Sequence, residues 1–196
     1  MSIGEWIYDT VMFPLEKRML HRARKDLLSG LSGRVLEVGA GTGRNFDYYP
    51  WGRVESLTVL DREIKGKVRQ YSFPRELPVD FVDGNVEMLE FSDQSFDCVV
   101  FTLVFCSVEQ PLKGLAEIYR VLKPGGTIFF LEHVRPGGKM PGKLLDRAAP
   151  AWRRVSGGCH LNRDTVEAIV EAGFRLEEKT LWHNGVFRGG RGRKAD

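Results

Sequence analysis

Cysteine is scarce in this chain: Cys98, Cys106 and Cys159 are the three cysteines among 196 residues. Their number is odd, and no two of them are spaced as a Cys-x-x-Cys pair. This pattern argues against a disulfide framework and against a structural zinc site built from cysteine pairs. We therefore predict no bound metal and a reducing, cytoplasmic setting.

Long apolar runs are also absent. The most apolar stretch, residues 96–108, is interrupted by Asp97, Thr102 and Ser107. It is shorter than the roughly 20 apolar residues that a membrane-spanning helix needs. The N-terminus carries acidic residues and no continuous apolar core, so no signal peptide is expected. We expect a soluble protein that can still associate with a membrane surface.

Neither sign of charge is in large excess, because the formal net charge is +3. With 42% hydrophobic and 28% charged residues, the composition is that of an ordinary globular domain with a core. We predict a single domain over residues 1–187 and a flexible basic tail over residues 188–196. A tail rich in Arg and Gly can bind nucleic-acid phosphates, which is the one non-enzymatic alternative. No aromatic stacking platform accompanies it, so nucleic acid is not the expected partner.

Glycine is plentiful, and the most informative glycines lie in residues 34–45, R-V-L-E-V-G-A-G-T-G-R-N. A short apolar run stops at alternating glycines, and we predict that a helix begins near Gly43. Glycines at such a turn allow positive φ and close approach of a ligand, and a helix N-terminus favours an anionic group. The spacing G-x-G-x-G differs from the G-x-G-x-x-G of dinucleotide-binding turns. Glu37, directly before the loop, favours a ligand that carries an ammonium group.

This stretch resembles the first motif of the class I S-adenosylmethionine (SAM)-dependent methyltransferases. Asp61 lies at the end of a predicted strand, 20 residues after Gly41, where an acidic side chain can bind ribose hydroxyls. The alternative role for Asp61 is a helix N-cap. Residues 83–91 resemble the family's adenine-binding segment, with Asn85 in place of the usual Asp. The resemblance implies SAM as cofactor, held by Glu37, Gly39, Ala40, Gly41, Gly43, Asn45, Asp61, Arg62, Gly84, Asn85, Val86, Thr102 and Leu103.

Predicted strands and helices alternate along the chain, and residues 120–127 (R-V-L-K-P-G-G-T) before an apolar strand are typical of the same family. The alternation predicts an α/β fold: a Rossmann-like, doubly wound, mostly parallel sheet with helices on both faces. A seventh strand is only hinted at by Val186 and Phe187. Residues 1–30 are predicted to be helical, with a break or kink at Pro14. They form either a lid over the acceptor pocket or a pair packed on the sheet edge, and their amphipathic character also suits an interfacial helix.

The C-terminal half, with C-S-V, L-E-H-V and G-G-C-H-L-N-R-D-T, resembles a branch of small methyltransferases that act on alkyl thiols, quinones and phospholipids. This resemblance implies a small-molecule or lipid acceptor, with residues 135–160 as the insertion that selects it. Thiol acceptors react as thiolates, so a general base is useful. His133 is the first candidate and His160 the second, with a structural role as the alternative for each. The predicted acceptor pocket contains Tyr8, Asp9, Cys106 and Trp152.

Three other acceptors remain open at this stage. Phosphatidylethanolamine-type lipids and quinones are both methylated in this branch, and the basic C-terminal half suits contact with a lipid surface. Cys106 and Cys159 suggest arsenite, since two thiolates bind a soft metalloid. The simpler interpretation is that both cysteines are small buried apolar residues.

Overall fold

The computed structural model describes residues 13–133, 160, 163–182 and 187–195. Seven strands lie in these ranges: β1 Gly33–Val38, β2 Val54–Asp61, β3 Val79–Asp83, β4 Phe96–Thr102, β5 Leu122–His133, β6 Arg175–Trp182 and β7 Phe187–Arg193. They form one sheet in the order β3-β2-β1-β4-β5-β7-β6. Pairing is parallel from β3 to β5, and β7 runs antiparallel to both of its neighbours. The predicted α/β fold with a mostly parallel sheet is confirmed.

Helices cover both faces of this sheet. They are α1 Phe13–Leu28, the single turn α2 Gly66–Arg69, α3 Pro111–Val121 and α4 Thr165–Glu171. Successive side chains of a strand point to opposite faces, so each central strand contributes to two cores. Phe101 of β4 belongs to one core with Ile118 of α3. Val100, its neighbour in sequence, belongs to the other core with Leu20 of α1.

The predicted helix after the glycine loop is wrong. Gly43 is followed by two short 3₁₀ helices, Phe46–Tyr48 and Trp51–Arg53. Pro50 separates them because it has no N–H to donate and disfavours helical geometry at the residue before it. Tyr49 is accordingly extended, at φ −74° and ψ 133°. The loop therefore presents backbone groups to a ligand without the N-terminus of a full helix behind it.

Helix α1 packs on a face of the sheet, not on its edge. Leu20 and Leu28 share a core with Phe129 of β5 and Phe187 of β7. Pro14, expected to break the helix, lies in its first turn, where a missing N–H leaves no intrahelical hydrogen bond unmade. Tyr8 and Asp9 lie outside the described residues, so the lid over residues 1–30 stays a prediction. No helix within the described ranges is long and apolar enough to cross a bilayer.

The predicted flexible tail is also wrong. Residues 187–193 form β7, which lies between β5 and β6 and is hydrogen-bonded to both. The glycines that made this segment look like a tail allow it to fit there. A Cβ added at Gly192 would lie 3.1 Å from the Ile128 side chain and 3.2 Å from that of Leu176. The domain therefore extends through Arg193, and an Arg-Gly segment inside a sheet does not support the nucleic-acid alternative.

Lys194 anchors the chain beyond β7. Its Nζ donates to the carbonyl oxygens of Tyr119 and Leu122, each at 2.7 Å. These carbonyls lie at the C-terminal end of α3, where a positive charge is favoured by the helix dipole. The ammonium also lies 4.8 Å from the centroid of the Tyr119 ring. The residue that was expected to move freely instead caps a core helix.

Candidate functional site

A cleft of about 220 Å³ lies at the carboxyl ends of β1 to β4. Open α/β sheets bind their ligands at this edge. Seven of the residues predicted to hold a cofactor line it: Gly39, Asp61, Arg62, Gly84, Asn85, Val86 and Leu103. Residues that the sequence did not single out complete the lining: Val38, Leu60, Glu87, Val104, Ser107 and Val108.

The glycine loop borders this cleft, and Gly39 is the one of its three glycines that lines it in the described chain. Gly39, Gly41 and Gly43 all have positive φ, at 68°, 56° and 77°. A Cβ added at Gly39 would lie 2.5 Å from Val104, so the loop lies directly against the chain that follows β4. A Cβ added at Gly41 would meet no atom within 4 Å. Gly41 therefore leaves open space that a ligand can fill, and any side chain there would project into it.

Asp61 connects the end of β2 to this loop. Its Oδ2 accepts a hydrogen bond from the backbone N–H of Gly41 at 2.8 Å. A carboxylate can accept about four hydrogen bonds, so acceptor capacity remains for a ligand hydroxyl. The alternative role as a helix N-cap is wrong, because α2 begins at Gly66 and Lys65 is its N-cap.

Glu37 lies behind the loop and not in the cleft lining of the described chain. The side chain is 1% exposed, and its oxygens accept hydrogen bonds from Asn45 Nδ2 at 2.6 Å and from the hydroxyl of Tyr49. Burial raises the pKa of Glu37 to about 7, although the bonds from Tyr49 and Asn45 and the charge of Arg24 oppose that shift. This carboxyl can therefore change its protonation state near neutral pH.

Asn45 joins three elements around Glu37. Its Oδ1 accepts from Nε of Arg24 on α1 at 3.0 Å, and its Nδ2 lies 3.0 Å from Oγ1 of Thr102 at the end of β4. Arg24 is buried even though it is charged. The sequence predicted Asn45 and Thr102 as cofactor contacts but missed Arg24 and Tyr49, since no local pattern marks a partner that lies 21 residues away.

The turn after β3 is built by two side chains. Oδ1 of Asn85 accepts from the backbone N–H of Glu87 at 3.0 Å, an Asx turn. Glu87 is buried and lines the cleft, and its Oε1 accepts from the N–H groups of Glu109 and Gln110, each at 3.1 Å. Glu87 thereby connects the turn to the start of α3. Sequence reasoning missed it because its partners follow more than 20 residues later.

The chain leaves β4 in a strained conformation. Leu103 has φ +58°, which costs an L-residue roughly 1–2 kcal/mol. Its N–H donates to the carbonyl of Leu131 at 2.7 Å, which fixes the turn at the wall of the cleft. The next two N–H groups, of Val104 and Phe105, both donate to the buried carboxylate of Glu132. Long-range bonds therefore hold a conformation that this sequence does not favour locally.

The two candidate bases have different surroundings. His133, the last residue of β5, is 4% exposed, and its ring centroid lies 4.5 Å from that of Phe187. Within the described chain it does not line the cleft, and its Nδ1 has no hydrogen-bond partner. His160 is only partly buried, and its backbone N–H donates to the carbonyl of Cys106 at 2.8 Å. Ser107, the next residue, lines the cleft, so His160 is joined to the cleft wall.

The other predicted acceptor residues are only partly described. Cys106 is buried, with its Sγ 3.7 Å from the hydroxyl oxygen of Ser107. Tyr8, Asp9, Trp152 and Cys159 lie outside the described residues. The arsenite alternative, which needs both cysteines, therefore stays a prediction.

The cleft has the chemistry that SAM requires. A Cβ added at Gly41 meets open space beside the loop backbone, and Asp61 places a carboxylate in the cleft lining. Leu60 and Val86 add apolar surface to the same lining. The residues present therefore fit a nucleoside cofactor that binds at the carboxyl ends of the strands.

Comparisons with known sequences agree with this geometry. Residues 36–130 match a family model described as a methyltransferase domain. The chain is also 39% identical over 179 residues to thiol S-methyltransferase TMT1B of Mus musculus, an alignment that covers 88% of this chain and 72% of that protein.

Solved structures with low sequence identity share the fold. The methyltransferase bound to the Haloferax volcanii Trm112 methyltransferase activator matches with a TM-score of 0.74 at 18% identity, over 98% of this chain and 97% of that chain. The N-methyltransferase NodS from Bradyrhizobium japonicum WM9, in complex with S-adenosyl-L-homocysteine, matches with a TM-score of 0.64 at 16% identity, over 90% of this chain and 87% of that chain. The chain thus belongs to the class I methyltransferase family and is a SAM-dependent methyltransferase.

Proposed function

We propose that this methyltransferase transfers the methyl group to the sulfur of a small-molecule thiol. The observation that carries the proposal is the similarity to thiol S-methyltransferase TMT1B, 39% identical over 88% of this chain. Only the cofactor half of the site is common to the whole superfamily. The match continues beyond it, and the segment around His160 is where acceptor-specific residues are expected.

In this proposal different cleft residues contact different parts of the cofactor. Gly39 and Gly41 receive the amino-acid part against bare backbone, Asp61 binds the ribose hydroxyls, and Val86 covers the adenine. Glu37 acts from behind the loop through Asn45 rather than by direct contact. When bound, SAM supplies an electrophilic methyl group whose in-line displacement by a thiolate forms a thioether and releases S-adenosylhomocysteine. Most of the rate then comes from holding the reacting atoms in line.

The acceptor thiol must lose its proton, and we assign that role to His160. An alkyl thiol of ordinary pKa, about 8.5, is only a few per cent thiolate at pH 7, so a base near the acceptor increases the reactive fraction. An unperturbed imidazole has a pKa of about 6.5, close enough to neutral pH to accept this proton and release it to water. His160 is joined through Cys106 to the wall of the cleft. His133, buried against Phe187, serves the fold in this proposal.

Product-resolved methyl transfer tests the acceptor class. Purified protein and methyl-labelled SAM are offered small alkyl thiols, a quinol, or vesicles that contain phosphatidylethanolamine, in separate reactions. We expect label in the thioether. Label in the quinone or in the lipid headgroup, with none in the thioether, would overturn the proposal, and lipid labelling would also support peripheral membrane contact.

A second experiment tests the base. His160→Gln should lower kcat with an alkyl thiol about 100-fold or more, in the range that general bases contribute. The same variant should be nearly unaffected with an aryl thiol that is already ionised at the assay pH. His21→Gln, at an exposed histidine that bonds Tyr48, is the matched control. Equal loss with both classes of thiol would show that His160 is not the base.

A further inference from the structure

The loop of residues 103–108, between β4 and α3, forms one wall of the cofactor cleft. Leu103, Val104, Ser107 and Val108 of this loop all line the cleft. Its backbone is held by two charged side chains that come from later in the chain, Glu132 and Arg163. Neither of them is among the described residues that line the cleft.

Three N–H groups of the 103–108 loop donate to Glu132. Oε1 of this carboxylate accepts from Val104 at 2.9 Å and Phe105 at 3.1 Å, and Oε2 accepts from Cys106 at 3.3 Å. Glu132 is 0% exposed. A buried carboxylate is tolerated only when its oxygens are well satisfied, so these three donors and the carboxylate require one another. The backbone N–H groups of three successive residues therefore donate to the same carboxylate.

Two carbonyl groups of the same loop accept hydrogen bonds from Arg163. Its Nη1 donates to the carbonyl oxygen of Phe105 at 2.8 Å and to that of Val108 at 2.5 Å. Between them, Cys106 accepts from the backbone N–H of His160 at 2.8 Å. His160 and Arg163 therefore hold the loop by its carbonyl groups, whereas Glu132 holds it by its N–H groups.

These bonds share one property: all of them go to backbone atoms of the loop. The side chains of the loop contact the cleft and the core, while residues from later in the chain hold its main chain. Leu103, with its positive φ, stands at the start of the held segment. Because charge-assisted hydrogen bonds are short and directional, they can keep such a strained backbone in one geometry.

We infer that Glu132 and Arg163 are positioning residues for methyl transfer. They hold the 103–108 loop in the shape that completes the cofactor cleft, and Arg163 couples that shape to the segment that carries His160. A shift of Arg163 when an acceptor binds is then transmitted to the cofactor wall. The inference concerns SAM binding and does not depend on the acceptor being a thiol.

Three variants test it, with calorimetric binding of SAM and of S-adenosylhomocysteine as the readout. Glu132→Gln keeps the shape of the side chain but places an NH₂ group against a backbone N–H. Arg163→Gln removes both the positive charge and the planar, fork-shaped guanidinium group. Each should weaken cofactor binding about tenfold or more, as expected when a bond to a charged group is lost. Arg163→Lys should fall between wild type and Arg163→Gln, because an ammonium retains the charge without the planar fork.

Amide hydrogen exchange on the same proteins separates positioning from general stability. The peptide that contains Val104 to Cys106 should lose protection in Glu132→Gln and Arg163→Gln, while strands β1 to β3 keep theirs. Arg175→Gln, which removes an exposed arginine at the start of β6, should change neither binding nor exchange. If a glutamine variant does not fold, Arg163→Lys carries the test. Unchanged cofactor affinity in the folded variants, or a uniform loss of protection over the whole sheet, would overturn the inference.

Discussion

The carboxylate of Asp61 holds the backbone N–H of Gly41 at 2.8 Å and so fixes the glycine loop to the end of β2. One acidic residue therefore fixes the shape of the loop and also lines the cleft. The N–H of Gly41 is a donor and the carboxylate of Asp61 is an acceptor, so each satisfies the hydrogen-bonding requirement of the other. Substitutions at these two positions should affect the same property, the affinity for SAM.

Asp61→Asn should raise the KM for SAM about tenfold to 100-fold, because a buried polar contact to the ligand is left unpaired. The amide oxygen of Asn can still accept from Gly41, but its NH₂ group replaces an acceptor with a donor. Steady-state kinetics with SAM as the varied substrate measure the effect. Asp80→Asn, at an exposed carboxylate on β3, is the control and should leave KM unchanged. An unaltered KM in Asp61→Asn would contradict the ribose role.

Gly41→Ala should destabilise the protein by about 1 kcal/mol, because a non-glycine residue at φ +56° is strained even where space is open. It should also weaken SAM binding, since the new methyl group enters the space left for the ligand. Gly52→Ala is a matched control: its Cβ also meets nothing within 4 Å, but its φ is not positive. Thermal unfolding with and without SAM separates the two effects. Equal behaviour of the two variants would count against this account of the loop.

Glu37 predicts a dependence of stability on pH. Its pKa in the folded protein is raised by burial to about 7 from an ordinary value of 4.5. Between these values the folded state holds a proton that the unfolded state has lost, so the free energy of unfolding falls as pH rises. The full loss, about 3 kcal/mol, is reached above pH 7 and is absent below pH 4.5.

Denaturant unfolding of wild type and Glu37→Gln, at several pH values from 4 to 8, measures this term. The difference between the two proteins should change with pH by an amount of that order, because Gln cannot titrate. Arg24, Asp61 and Tyr49 are the charged or titratable groups around Glu37, and they are common to both proteins. A difference that does not vary with pH would mean that the pKa of Glu37 is the same in the folded and unfolded states.

Deletion of residues 187–196 should abolish cooperative folding. The deletion removes β7, to which both β5 and β6 are hydrogen-bonded, and so detaches β6 from the sheet. It also removes Lys194 from the C-terminal end of α3. Circular dichroism and thermal unfolding of the shortened chain provide the measurement, and deletion of residues 195–196 alone is the control. A shortened chain with wild-type stability would restore the view of this segment as a tail.

Features that depend on nearby residues could be predicted from the sequence. Local sequence was enough to recognise the apolar run of β4, the loop glycines Gly41 and Gly43, and Asp61 at the end of β2. Periodicity and backbone sterics act over a few positions, so they appear in the sequence directly. The mostly parallel sheet followed from these local features, and their resemblance to a known family implied the cofactor and seven of the residues in the cleft lining.

Other features needed partners that are distant in the chain. Arg163 meets the carbonyl of Phe105 across 58 positions, and Glu132 meets the N–H of Val104 across 28. Residues 188–193 look like a tail in sequence, but they pair with β5 and β6, where Gly192 packs closely against Ile128 and Leu176. The sequence placed His133 ahead of His160 as a candidate base, and it could not show that His133 is buried against Phe187. The sequence by itself determined the class of fold, because periodicity is local, and its resemblance to a known family indicated the cofactor. Only the tertiary structure decided which charged groups shape the cleft, because the role of a buried charge depends on the groups that the fold places next to it.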